Sequence, residues 1–501
     1  MPTINQWNKG IVNDPRTHLT GVSRMLSRFD IYSNSNQLVP NPSTEDGNNG
    51  DIAKKLTNFA IGDLGGTQKL FGLGVVSGTG KASVYMKSLS QGASQDLDDD
   101  VWGQPANNDS SSGAVNPDLF IWYERTGKLY GARAGQYIWA TDPGASWDDS
   151  ERDLGSFDNY AQGLVHSKDD ILYIPYDNKI AKNNNGSWTS PALTLPEEFY
   201  ITSICEYGNY LAIGVAPVTP GGKSKVYLWD RDATLETLSE SIDFGGMELK
   251  IIENIGGYLI GISNSNKGYQ PDEVVFSVYS GGTGAKEYLR LTGINDLEID
   301  KQKGKFGNKV FFLMKGTING TYRSGLWSFG KTGINTPFTL AHEYSQENDT
   351  EIQSGLYGFF ILGKYIFISY VDSEGNHAIQ KTDNDGNTLT YSATSTWETT
   401  LNPSMEIKDR GKNKQLKGTR LIFEPLQSSN EIKLYYRADG GSWAEIFTES
   451  NSSESFQIIE KAKDVNGSNF SEAREYDFKV ESKGVALIEL FYTYDIIKTQ
   501  L

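Results

Sequence analysis

Apolar residues in this chain come in short runs, separated by stretches rich in Gly, Asn, Asp and Ser. Seven such runs recur. They are Lys69-Leu70-Phe71-Gly72-Leu73, Leu119-Phe120-Ile121-Trp122-Tyr123, Ile171-Leu172-Tyr173-Ile174-Pro175 and Tyr210-Leu211-Ala212-Ile213-Gly214, then Tyr258-Leu259-Ile260-Gly261-Ile262, Lys309-Val310-Phe311-Phe312-Leu313 and Tyr365-Ile366-Phe367-Ile368-Ser369. Successive runs start 39 to 56 residues apart, which is the period of a four-stranded propeller blade. Turns such as Glu206-Tyr207-Gly208-Asn209 and Ile255-Gly256-Gly257 precede them. Second strands follow, among them Ala82–Met86, Lys225–Trp229, Val274–Val278 and Ser324–Ser328. The nearly continuous apolar character of the first strand marks burial between blades, and the alternation of the second marks one wetter face. Seven units would close a ring and remove the exposed sheet edges. The expected fold is therefore all-β, with a seven-bladed β-propeller over residues 46–400. A tandem of β-sandwiches would not demand so steady a spacing.

Two segments fall outside the repeat. Residues 1–45 are mostly Asn, Ser, Pro and Thr with spaced apolar anchors, Trp7, Ile11, Leu26, Phe29, Ile31 and Tyr32. Lys9, Arg16, Arg24 and Arg28 outweigh Asp14 and Asp30 there, so the segment is locally positive on an acidic protein. It reads as an extended N-terminal docking arm that buries its anchors on a neighbouring subunit. The alternative is that it folds back and closes the last blade in its own chain. Residues 401–501 change to longer strands with clean alternation, such as Glu431-Ile432-Lys433-Leu434-Tyr435-Tyr436-Arg437, and suit a C-terminal β-sandwich.

Charge and composition narrow the partners. The net charge of −17 repels phosphate backbones, which argues against nucleic acid. The single cysteine, Cys205, excludes an internal disulfide framework and reads as a small buried hydrophobe. No apolar stretch is long enough to cross a bilayer, so no membrane insertion is expected. The opening Met1–Trp7 lacks the basic start and apolar core of a signal peptide, which suits assembly in a cytoplasm.

Several stretches imitate chemistry without its spacing. Ser77-Gly78-Thr79-Gly80-Lys81 has Val75 where a phosphate loop needs its first Gly, and Ala82 after the Lys; it reads as a hairpin loop. Asp383-Asn384-Asp385-Gly386-Asn387 lacks the Glu of a calcium loop and reads as a turn. The acidic run Asp96–Asp100 reads as a solvated loop. His18, His166, His342 and His377 lie far apart and suggest neither zinc nor a triad. No metal site and no cofactor are expected.

Ala140-Thr141-Asp142-Pro143-Gly144-Ala145-Ser146-Trp147 resembles the Asp-box of sialidases and many other propellers, with Ala for the first Ser and Ser for the Thr. In that motif the Asp accepts turn amides, the Gly supplies a positive φ and the Trp packs beneath. Tyr436–Trp443, with Asp439, Gly441 and Trp443, is a near relative one residue shorter. Both are read as structural turns. A sialidase would also need an arginine triad, and Arg125, Arg133, Arg152, Arg231, Arg290 and Arg323 are scattered. The chain is accordingly expected to be non-catalytic.

The run Asn5–Gly10, Ser23–Ser33 and Gln37-Leu38-Val39-Pro40 resembles the opening of tailed-bacteriophage virion proteins, in which an arm leads into a propeller, as in tail nozzle and collar components. Tyr435–Trp443 resembles a hairpin in C-terminal β-domains of phage proteins. The resemblance implies a structural component carried on the virion at the tail or neck, or as an adsorption element. Its partners would then be other virion proteins, further copies of itself and a host-surface glycan or receptor. The alternatives are a carbohydrate-binding, lectin-like propeller and a glycosidase.

Overall fold

The computed structural model describes residues 3–4, 25–27, 29–30, 38–41 and 44–46. From 56 to 497 it describes all but several stretches, the longer being 90–114, 265–271, 346–355, 383–393, 400–408 and 451–457. Among the described residues there is no α-helix, and the chain is all-β. The chain divides into two compact units, Thr44–Ser324 with Thr350–Asp385, and Met1–Ser43 with Gly325–Asp349 and Gly386–Leu501. These units interleave along the chain, unlike the three consecutive segments read from the sequence.

The larger unit is a series of antiparallel meanders. Strands Val115–Tyr123, Lys128–Arg133, Tyr137–Asp142 and Ser146–Asp153 form one four-stranded sheet. Leu164–His166, Ile171–Tyr176, Lys179–Asn184 and Ser187–Thr194 form the next, and Phe199–Tyr207, Tyr210–Pro217, Lys225–Trp229 and Leu238–Asp243 the one after. Leu56–Leu64, Thr67–Val75 and Ala82–Ser88 make a three-stranded sheet. Leu356–Leu362, Tyr365–Val371 and His377–Thr382 are completed by Thr44–Asp46, supplied from the N-terminal segment.

All seven apolar runs are strands, and six of them are the second strand of their sheet. A further strand precedes each of these six; Leu56–Leu64 mixes apolar and polar residues, whereas Leu356–Leu362 is nearly all apolar. The second strands are apolar because they have sheet neighbours on both edges and packed faces above and below: Leu211, Ala212, Ile213, Val215 and Ala216 are all fully buried.

Neighbouring sheets share cores. Phe71, Leu73 and Val84 pack with Phe120, Trp122, Leu129 and Trp139. Leu56, Phe59 and Leu70 pack with Tyr365, Phe367 and Ile379, so the sheet containing residue 56 also meets the one containing residue 365. At the first contact the rings of Phe71 and Trp122 stack at 5.2 Å. Close approach is permitted here by Gly62, where a Cβ would come within 2.3 Å of the Trp122 ring.

In the smaller unit, Met25–Ser27 pairs antiparallel with Ser395–Glu398 and parallel with Phe338–Ser345. Ser395–Glu398 continues to Tyr476–Lys483, Glu431–Ala438 and Ala444–Glu449. A second sheet joins Thr3–Ile4, Leu487–Ile496, Lys414–Phe423 and Ile458–Lys461. The two sheets meet at Phe478 and Tyr492, whose rings lie 4.9 Å apart.

The described part of the N-terminal segment is thus paired within its own chain. Leu38 and Leu487 exchange two backbone hydrogen bonds of 2.9 and 3.0 Å. The Asn41 amide donates to the carbonyl and carboxylate of Glu343, both at 3.0 Å. Phe29 is fully buried and Leu26 lies in a strand, whereas Trp7, Ile11, Ile31 and Tyr32 lie outside the described residues.

Candidate functional site

Strand Lys286–Phe306 serves two sheets. Its first part pairs with Asp272–Tyr279, and its second with Lys309–Ile318. The second ladder slips between Ile299 and Lys303, a bulge that frees the residues between them from pairing and re-aims their side chains. Gly304 follows, and a Cβ there would come within 2.9 Å of both Phe359 and Ile361.

From this bulge successive side chains reach the leading strands of the other sheets. Lys301 Nζ donates to Asp118 Oδ2 and to the Tyr160 carbonyl, both at 2.9 Å. Gln302 Nε2 donates to Asn58 Oδ1 at 3.2 Å and to the Phe359 carbonyl at 3.1 Å, while its Oε1 accepts the Phe359 N–H at 3.1 Å. Lys303 Nζ donates to the carbonyls of Ile204 and Ile252 at 2.8 and 2.6 Å and pairs with Glu253 at 2.9 Å. An amide chain continues from Asn58 Nδ2 to Gln162 Oε1 at 3.1 Å, and from Gln162 Nε2 to the Phe120 carbonyl at 2.5 Å. Polar groups whose burial alone would cost several kcal/mol are in this way satisfied by one another.

Two carboxyls at this hub are pushed in opposite directions. Asp300 is exposed, yet its carboxyl is raised above the usual range, first by the loss of water around it and then by the charge of Asp118. Asp300 Oδ1 accepts the Gln302 N–H at 2.8 Å. Burial also disfavours the charge on Glu253, but Lys303 and Lys305 more than offset it, and that carboxyl lies below its ordinary value. Cys205, near the same lysines, is fully buried and pushed up to about 12, which leaves it an inert thiol.

The residues singled out in the sequence lie elsewhere. At the first hairpin, Thr141 pairs with Trp147 and Asp142 with Ser146. The Trp147 ring stacks on Trp139 at 4.7 Å, Asp142 is half-buried, and Gly144 lies outside the described residues. At the second, Asp439 has a φ of 47° and its Oδ1 accepts the N–H groups of Arg474 and Glu475, both at 2.9 Å. Gly441 donates to the Ala438 carbonyl at 2.9 Å. The Trp443 ring lies under Arg437 at 4.5 Å and Lys479 at 5.6 Å.

Sequence reasoning missed Asn58, Asp118, Gln162, Asp300, Lys301, Gln302 and Lys303. The available signal was the lysine-rich stretch Asp300–Lys305 within a strand of mixed sequence. The phosphate-loop imitation over 76–80 and the acidic loops at Asp96–Asp100 and Asp383–Asp385 lie outside the described residues. Among the described residues no group of His, Cys, Asp and Glu could hold a metal ion, and no helix could cross a membrane.

No protein-family model and no curated protein matches the chain. Among solved structures it is similar to an exo-β-1,3-galactanase from Phanerochaete chrysosporium with galactose, at 12% identity and a TM-score of 0.33, covering 91% of this chain and 100% of that one. It is also similar to a xyloglucanase of glycoside hydrolase family 74 from Xanthomonas campestris, at 12% identity and a TM-score of 0.39, covering 80% and 65%. A third is the β-propeller domain of Swd1 from Myceliophteria thermophila, at 9% identity and a TM-score of 0.41, covering 66% and 98%. Two of the three are glycoside hydrolases, which runs against the expectation of a non-catalytic chain; likeness at these scores assigns no activity, residue or substrate.

Proposed function

We propose that the larger unit is a closed, seven-bladed propeller that binds a neutral carbohydrate at the accessible side of its hub, and that the two sheets of the smaller unit form a β-sandwich. Closure is supported by shared cores between consecutive sheets and by the packing of Leu56 and Phe59 against Tyr365 and Phe367. The observation that carries the binding site is Asp300, which stays open to water beside Lys301 and Asp118 on a floor built from the leading strands of several sheets. Carboxylates, amides and an ammonium group together offer donors and acceptors to vicinal hydroxyls, and a rigid floor holds them in place without an ordering cost. The chain's acidity disfavours polyanions and leaves neutral glycans as the matching class.

In the setting that the sequence resemblance implies, a tailed-phage particle, the glycan would lie on the host surface and its recognition would belong to adsorption. A glycan array followed by calorimetry on the wild type, Asp300→Asn and Asp118→Asn tests the reading. A neutral glycan whose affinity falls at least about tenfold in either variant, at unchanged melting temperature, supports it; each tenfold step is about 1.4 kcal/mol. A protein that captures no neutral glycan, or whose binding ignores both changes, overturns it.

A further inference from the structure

We infer that the first strand of the chain, Thr3–Ile4, is exchanged between copies, so that the tip of one N-terminal segment lies on the Leu487–Ile496 edge of another. The segment divides into a root and a tip by how it is held. In the root, Met25–Ser27 has a strand on each side, Phe338–Ser345 and Ser395–Glu398. Phe29 and Leu38 are fully buried there, and the buried Asn41 donates to Glu343. Withdrawing the root would open a core and take a donor from a buried carboxylate. Among the described residues the tip pairs at two positions alone, Thr3 with Phe491 and Ile4 with Leu490. A two-residue strand at the end of a sheet is weakly held and opens at little cost.

The edge that receives the tip has room. Leu487–Ile496 pairs along its whole length with Lys414–Phe423 on one side. On the other side, among the described residues, it meets Leu38 at Leu487 and the tip at Leu490 and Phe491, and no strand pairs with Tyr492–Ile496. The free N–H and C=O groups of a sheet edge accept an extended strand whichever chain supplies it, and this edge already holds the strand that fits it. The ladder is the same within one chain or between two, so exchange loses no contact.

Reach and charge favour a second copy as the donor. Residues 5–24 separate tip from root, and twenty residues span at most about 70 Å. Lys9, Arg16 and Arg24 outweigh Asp14 in that stretch, on a chain whose net charge is −17, so an acidic neighbour attracts the stretch that carries the tip. A short tether keeps a strand at about millimolar effective concentration near its own edge. Exchange therefore sets in when copies are crowded to that level, side by side in an assembly.

The test mixes two full-length variants, one carrying Thr3→Cys and the other Phe491→Cys, at micromolar and at millimolar protein. Opposite positions of an antiparallel pair lie within disulfide reach, and the native Cys205 is buried. A disulfide between the two variants forms at this pair only when the tip crosses between copies. Its expected yield at millimolar protein is at least about tenfold that of a control with Ser442→Cys, at another exposed turn, in place of Phe491→Cys, and it falls on dilution. A second measurement leaves the edge intact: sedimentation of the wild type at millimolar protein should show association that deletion of residues 1–8 abolishes, with melting lowered only slightly. Disulfides confined to a single chain carrying both cysteines, association that survives the deletion, or a wild type that stays monomeric at millimolar protein overturns the inference. A truncated chain that does not fold overturns it too, because the tip would then belong to the root.

Discussion

The bulge of the larger unit and the ladder Glu431–Ala438 against Tyr476–Lys483 of the smaller unit both bury cations, but by different means. Lys303 is bound by carbonyls of residues 99 and 51 positions away in sequence, and by the carboxylate of Glu253, next to the second of them on the same strand. Arg437 pairs at 2.6 Å with Asp477, the residue directly opposite it in the ladder. Lys479 likewise lies over the ring of Tyr435, its register partner, at 4.2 Å. The ladder needs only the correct register between two strands, and cross-strand pairs then form by geometry. The bulge needs several sheets in place at once. A cation bound across sheets thus reports on tertiary closure, and one bound across a ladder reports on local pairing.

Lys303→Met should show the largest effect in this comparison. It removes bonds to two carbonyls and leaves Glu253 buried with only Lys305 at 3.4 Å, and uncompensated burial of a charge costs about 3–5 kcal/mol. Urea unfolding should report that loss; a change under about 1 kcal/mol would show that the hub does not hold the sheets together. Arg437→Met strands a carboxylate whose side chain has no exposed surface, yet its loss should stay local, at about 2–3 kcal/mol, with the larger unit melting as before. If Arg437→Met instead matches Lys303→Met and melts both units, the contrast between closure and pairing fails. The smallest effect belongs to Asp439→Ala, which frees the N–H groups of Arg474 and Glu475 at an exposed turn and forces Ala into positive φ, for about 1 kcal/mol. Asp439→Asn should restore most of it, because Asn accepts the same amides and tolerates that backbone; thermal melting distinguishes the two.

The two Asp-box-like hairpins show how far a motif can be read. Their phrases are nearly the same, but Trp147 stacks on Trp139 within a shared core, whereas Trp443 lies under Arg437 and Lys479. Trp139 lies on Tyr137–Asp142, the first strand of its own hairpin, and Arg437 lies within the second phrase; only Lys479, on Tyr476–Lys483, reaches its Trp from outside the hairpin's sequence. The N-terminal segment teaches the converse. Its scarcity of apolar residues pointed to an arm docked on a neighbouring subunit, with folding back on its own chain as the alternative, and Leu38 and Asn41 are tied to Leu487 and Glu343 of the same chain. A short strand needs few apolar residues when a larger sheet supplies the rest of the burial.

The sequence by itself determined that this chain is all-β, that its strands repeat at a regular interval, and that the pattern changes near residue 400. Those properties depend on period-two alternation, turn residues and spacing, which act over a few residues. Only the tertiary structure decided that Asp118, Asn58, Gln162 and Asp300–Lys303 share one site. Asp118 lies beside an apolar run on Val115–Tyr123, Gln162 just before Leu164–His166 and Asn58 on Leu56–Leu64, and they meet because separate sheets present these residues to a single bulge. The long-range hydrogen bonds that satisfy them exist only once the sheets have packed, so no local pattern could announce them.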